Sequence, residues 1–190
     1  RIIEKEKPDV LILEYPCQFE AIKATPMDVL TQPPCDIAIV NSHITDTFQN
    51  ILVPVRGGPY AELALRTALS MSRSQPADIT SLHMVSADPE RKQDAAFRGM
   101  ERVLKNLPDV KKQSTITDDP AEIIFESARQ FDLTVMGASA RAADEFTSIG
   151  PVAERMMDVS QRGVMVVKTS QPTPFSLESE KAGETAISVL

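Results

Sequence analysis

The residues with the clearest chemical layout lie in "GASARAADEFTSIGPVAER", residues 137–155. The segment follows the apolar run "LTVM", Leu133 to Met136, and leads into a helical pattern. A strand, a glycine, and a spaced second glycine ahead of a helix form the outline of a phosphate cradle. Phosphates need backbone N–H groups that can be approached closely, best at a helix N-terminus. Glycine permits that approach and the turns with positive φ. Gly137 and Gly150 meet this need, but the residues between them are not those a good cradle would use. Pro151, after the second glycine, has neither a hydroxyl nor an N–H to donate. A second glycine pair, Gly57-Gly58, follows Arg56 at the end of "ILVPV".

Other chemistry is sparse. The two histidines are His43, in a linker, and His83, inside an apolar strand pattern where a structural role is expected. No His-x-x-x-His, Gly-x-Ser-x-Gly or lysine P-loop occurs, so no nucleophile–base pair or metal site is expected, and no catalysis. Cys17 and Cys35 match neither a zinc nor a Cys-x-x-Cys spacing and read as reduced thiols of a cytoplasmic protein. The formal net charge of −7 argues against nucleic acid and anionic lipid as partners. No apolar run approaches the roughly 18 residues of a membrane span, so no direct membrane insertion is expected. The sequence starts at Arg1 rather than Met, as a piece of a longer protein would.

The elements that position the glycines alternate. "ILVPV" (51–55) is a buried strand ending in the Gly57-Gly58 turn, and Pro59 suits the first turn of the helix carrying Ala64, Leu65, Ala68, Leu69 and Met71. "ITSLHMV" (79–85) is a second strand. Asp88-Pro89 opens a helix with an apolar stripe of Phe97, Met100, Leu104 and Leu107. "KQSTIT" (112–117) is a polar strand suited to a sheet edge. Asp119, Pro120 and Glu122 form a helix start, with Ile124, Ala128 and Phe131 on the buried side. "DLTVMG" is the fourth strand; Val152, Met156 and Val159 mark the fourth helix, and "GVMVV" (163–167) the fifth strand. Strands alternating with helices imply an α/β fold with a parallel sheet and helices on both faces.

The first 45 residues repeat part of this pattern. "KPDVLILEYP" resembles "QFDLTVMGAS", with Asp9 against Asp132, and "PPCDIAIVNS" resembles "QRGVMVVKTS", with Val40 against Val167. The offsets are 132 − 9 = 123 and 167 − 40 = 127. The organisation expected is therefore residues 1–45 as the last strand–helix–strand of a first repeat, 46–169 as a complete domain, and 170–190 as a flexible tail rich in Ser, Pro, Thr and Glu. The alternative is an unrelated N-terminal arm.

"NILVPVRGG", "SLHMV", "AEIIFESARQFDLTVMGAS" and "GPVAERMM…VMVVK", in that order, resemble the universal stress protein family. The resemblance implies a five-stranded parallel sheet in the order 3-2-1-4-5, with the N-terminal strand–helix–strand added. It places a crevice where strands 1 and 4 diverge. It makes Arg56, Gly57, Gly58, Met84, Gly137, Ala140, Gly150 and Pro151 the candidate nucleotide pocket. Members that hold ATP end the first strand in an aspartate and follow the last glycine with a hydroxyl residue. Here those positions hold Arg56 and Pro151, and Ala140 replaces a glycine. The lost contacts are worth roughly 1–3 kcal/mol each. Arg56 either fills the pocket by pairing with Asp144 or Glu145, or pairs with a phosphate.

The function expected is a non-catalytic regulatory, stress-response module with a degenerate ATP-binding motif and no cofactor. The alternative is an ATP- or AMP-binding switch, or a slow ATPase, using Gly137 to Gly150. Partners expected are a homodimer, or intrachain pairing of strands 36–40 and 164–167; the family also occurs as cytoplasmic tails of membrane transporters.

Overall fold

The apolar runs become strands, and the helical stripes close over both faces of the sheet they form. The computed structural model describes residues 8–19, 23, 25, 29–30, 33–56, 58–86, 95–138 and 149–170. In chain order the elements are β1 (Val10–Glu14), β2 (Asp36–Val40), β3 (Asn50–Val55), α1 (Pro59–Ser74), β4 (Asp78–Val85) and α2 (Ala95–Lys105). They continue with β5 (Val110–Ile116), α3 (Pro120–Ala128), β6 (Leu133–Gly137), α4 (Pro151–Val159) and β7 (Gly163–Lys168).

The strands form one sheet in the order β1-β2-β7-β6-β3-β4-β5. All neighbours are parallel except β2 and β7, which are antiparallel. The five strands of the expected domain keep the order 3-2-1-4-5 within it. The difference from the expectation is at the edge: instead of five strands with an appendage there is one sheet of seven, because β2 hydrogen-bonds along β7, with Ile37 opposite Lys168 and Val40 opposite Met165. Of the two pairings expected for strand 164–167, this chain uses the intrachain one.

The two faces carry separate cores. Beneath α1 and α2 lie Ile51, Val53, Val55, Leu133 and Val135 with Ala64, Leu65 and Met100. Beneath α3 and α4 lie Leu52, Leu82, Val164 and Val166 with Ile124, Met156 and Met157. Strand alternation sends consecutive side chains into opposite cores, which is why β3, β6 and β7 read as continuous apolar runs. Ile37 and Ile39 of β2 join the second core, so the N-terminal segment is packed as part of the sheet.

Local signals hold with three corrections. Asp119 caps α3 by accepting from the Glu122 N–H at 3.1 Å. The Glu122 carboxylate does not close the reciprocal capping contact; it pairs with Arg155 at 3.1 Å. The buried side of α4 is Ala153, Met156 and Met157, whereas Val159 is exposed, because the helix sits rotated toward the 153–157 stripe. β5 begins two residues before the polar run, at Val110, whose buried side chain anchors it opposite Ile79.

The β1–β2 pair has the register of β6–β7. Val10 faces Asp36 and Glu14 faces Val40; Leu133 faces Gly163 and Gly137 faces Val167. The flanking hydrogen bonds correspond as well. Asp36 N donates to Asp9 O at 3.2 Å, as Gly163 N does to Asp132 O at 3.2 Å. Tyr15 N donates to Val40 O at 2.8 Å, as Ala138 N does to Val167 O at 2.8 Å.

Candidate functional site

The crevice forms where the crossover connections change direction. β3 leads through α1 to β4 on one side, and β6 leads to α4 and β7 on the other. The carboxyl ends of β3 and β6 therefore diverge, and two helices start nearby. Both helices start alike. Gly58 has φ 85° and caps α1, and Gly150 has φ 94° and caps α4. Each is followed by proline at the first helical position, then x-Ala-Glu. Glu62 N donates to Gly58 O at 3.1 Å and Glu154 N to Gly150 O at 3.0 Å. The twin pentapeptides "GPYAE" and "GPVAE" are the sequence signal of this symmetry.

Positive φ explains both capping glycines. The prolines remove one N–H from each helix start, and a glutamate stands in each first turn. Burial, and then the nearby Asp158 carboxylate, push the Glu154 pKa up.

Gly137 has a different reason. A Cβ there would lie 2.6 Å from the Tyr60 carbonyl carbon and 2.7 Å from its oxygen. The end of β6 is pressed against the first turn of α1, so this glycine serves helix–sheet contact. Arg56 is exposed just past β3. Met84 is half-buried and packs with the α3/α4 core. Gly57, Ala140, Asp144 and Glu145 lie outside the described residues, and so does the pairing expected between Arg56 and the acidic pair. His83 lies within β4 opposite Val55, and His43 is exposed in the linker.

Beside the crevice, a cavity of about 440 Å³ opens between the first turns of α1 and the β2–β7 joint. Its polar lining includes Asp9, Asp36, Glu62 and Arg66. Three carboxylates against one guanidinium suit a phosphate poorly. Among the described residues, no group of three or more His, Cys, Asp or Glu could hold a metal. No described helix is long and apolar enough to cross a membrane.

The joint itself is pinned by residues that sequence reasoning did not single out. Asp36 Oδ1 accepts from Ser170 N at 2.8 Å and Thr169 Oγ1 at 2.9 Å. Asn41, buried at the other end, accepts from Val164 N at 2.9 Å and donates to Arg162 O at 2.9 Å. Tyr15 donates to Asp158 at 2.8 Å; burial first, then this bond, push its pKa up to about 12. Lys168 is buried at the end of β7, and burial lowers its pKa.

The fold matches that of known proteins. The family model of the universal stress proteins matches residues 47–168. UspA, a universal stress protein from Lactobacillus plantarum, aligns with 65% of this chain and 100% of its own, at 21% identity and TM-score 0.53. A universal stress protein solved in complex with cAMP aligns with 64% of this chain and 98% of its own, at 17% identity and TM-score 0.50. One from Archaeoglobus fulgidus aligns with 88% of this chain at 15% identity and TM-score 0.61, and this chain spans 63% of it. None of the curated proteins matches the chain in sequence. With the family match covering well over half of its residues, the chain belongs to the universal stress protein family.

Proposed function

We propose that this chain is a non-catalytic regulatory module of the stress response, in which the nucleotide crevice is degenerate and the sheet is the working surface. The observation that carries this reading is the matched pair of helix starts. Proline at the first position of α1 and of α4 removes an N–H donor from each, and a glutamate follows in each first turn. Both changes weaken a helix N-terminus as an anion site. Gly137, the first cradle glycine, is already required by its contact with Tyr60. The N-terminal strands read as the end of a preceding repeat, supported by their shared register with β6–β7.

A second reading rests on Gly58 and Gly150. Both keep positive φ at helix starts beside the crevice, and a solved protein of this fold holds cAMP. Here Arg56 would supply the charge for a phosphate of ATP or AMP. Calorimetric titration of the chain and its Arg56→Ala variant with ATP, AMP and cAMP separates the two. Degeneracy predicts no saturable heat at millimolar nucleotide from either protein. Saturable binding that Arg56→Ala abolishes would establish the second reading instead.

A further inference from the structure

We infer that the segment following β1 is held on α4 by a proton-operated latch, in which Tyr15 is tied to Asp158 and Glu154 takes up the proton. Tyr15 Oη donates to Asp158 Oδ1 at 2.8 Å, in the last turn of α4. On its other side Tyr15 N donates to Val40 O at 2.8 Å, at the end of β2. The side chains of Tyr15, Cys17 and Phe19 pack against the core that contains Ala153, Met156 and Met157 of α4. Tyr15 therefore bridges the N-terminal strand pair and the helix.

The latch closes beside two carboxyl groups. Glu154 and Asp158 are four residues apart on α4, so they share one side of it, one turn apart. Like charges at this spacing repel. Among the described residues neither is in an ion pair. The neighbouring cation, Arg155, is engaged on α3: it pairs with Glu122 at 3.1 Å and lies over the Phe125 ring at 5.2 Å. The described part of the facing segment presents the Tyr15 hydroxyl and the Cys17 thiol. Burial raises the pKa of both, so they are neutral at pH 7 and offset no charge. Glu154 is half-buried, and burial first, then the Asp158 charge, push its pKa up. Protonated, it gains a hydroxyl that can donate to a carboxylate.

The charged form of Glu154 is solvated when the segment lifts, whereas the neutral form tolerates burial beside it. An acid whose folded pKa lies above its unfolded value, about 4.3 for glutamate, stabilises the closed state below that unfolded value. It loses the contribution as pH rises through the folded value. Falling pH therefore ties the N-terminal strand pair more firmly to α4, the helix whose start at Gly150 borders the crevice. The inference is independent of what the crevice binds.

The test uses the full chain. Carboxyl-carbon NMR of Glu154 across pH gives its titration midpoint, expected above the ordinary value of about 4.3. Tyr15→Phe keeps the ring and removes only an exposed hydroxyl, and should move that midpoint back toward the ordinary value. Amide exchange at Tyr15 reads the latch itself. Against Glu154→Gln, neutral at every pH, the parent should exchange about threefold or more faster at neutral pH, and the excess should vanish toward about pH 4. A Glu154 midpoint at or below the ordinary value overturns the inference. So does a raised midpoint that Tyr15→Phe leaves unmoved, or an exchange ratio that stays constant with pH.

Discussion

Gly137 touches the backbone of Tyr60 so closely that a Cβ at position 137 would lie 2.6 Å from the Tyr60 carbonyl carbon. The contact joins the end of β6 to the first turn of α1. Backbone cannot move aside as a flexible side chain can. Gly137→Ala should therefore cost about 2–3 kcal/mol of stability, an overpacking effect. Urea unfolding checks it; an unchanged midpoint would mean that the close contact does not constrain the fold.

Asp132 ties the start of β3 to the start of β6. Its two backbone hydrogen bonds, from Gln49 first and Asn50 after, hold its pKa below the ordinary carboxylate value. A carboxylate with a depressed folded pKa stabilises above its unfolded pKa, about 3.9, and loses that contribution as pH falls through the folded value. Asp132→Asn should lower stability by about 1–2 kcal/mol at pH 7. The difference between variant and parent should shrink below about pH 4. Melting temperatures measured across pH give the comparison; a pH-independent difference would assign the effect to packing.

Asn41 clamps the joint between the N-terminal strands and β7 through two side-chain hydrogen bonds in a buried site. Asn41→Ala leaves Val164 N and Arg162 O without these partners and should cost about 2–3 kcal/mol. Exchange should then speed up at Val164 first. Equal exchange in variant and parent would show that the ladder of β2 and β7 suffices alone.

Thr134, the second residue of β6, is 1% exposed, and its hydroxyl finds no partner. The isosteric Thr134→Val removes an unsatisfied buried group and should raise stability by about 1 kcal/mol. Chemical denaturation reads the sign directly, and a destabilised variant would imply a hydrogen bond to that hydroxyl in solution.

Much of this architecture was legible from apolar periodicity. Short β-branched runs such as "ILVPV" and "GVMVV", bounded by glycine, read as strands buried on both faces, and the Asp119-Pro120 start fixed α3 to the residue. Asp9 and Asp132, which stand at matching positions of two similar stretches, each accept a backbone N–H from the strand that follows. The roles of those aspartates were not legible. A carboxylate that receives two backbone N–H groups from 83 and 82 residues away leaves no local pattern. The clamps by Asp36 and Asn41 are equally non-local. Gly137 was legible as a glycine that mattered, but its reason lay in the approach of Tyr60, which only the packed helix reveals. The twin Gly-Pro-x-Ala-Glu starts were present in the sequence and needed only a comparison of the two loops.

The central claim is that the crevice no longer holds nucleotide tightly. The most direct measurement denatures the freshly purified chain and quantifies released ATP, ADP and AMP by chromatography. The account predicts far less than one nucleotide per chain. Nucleotide near one per chain would contradict it, and would mean that Gly58, Gly150 and Arg56 form a working site despite the two prolines.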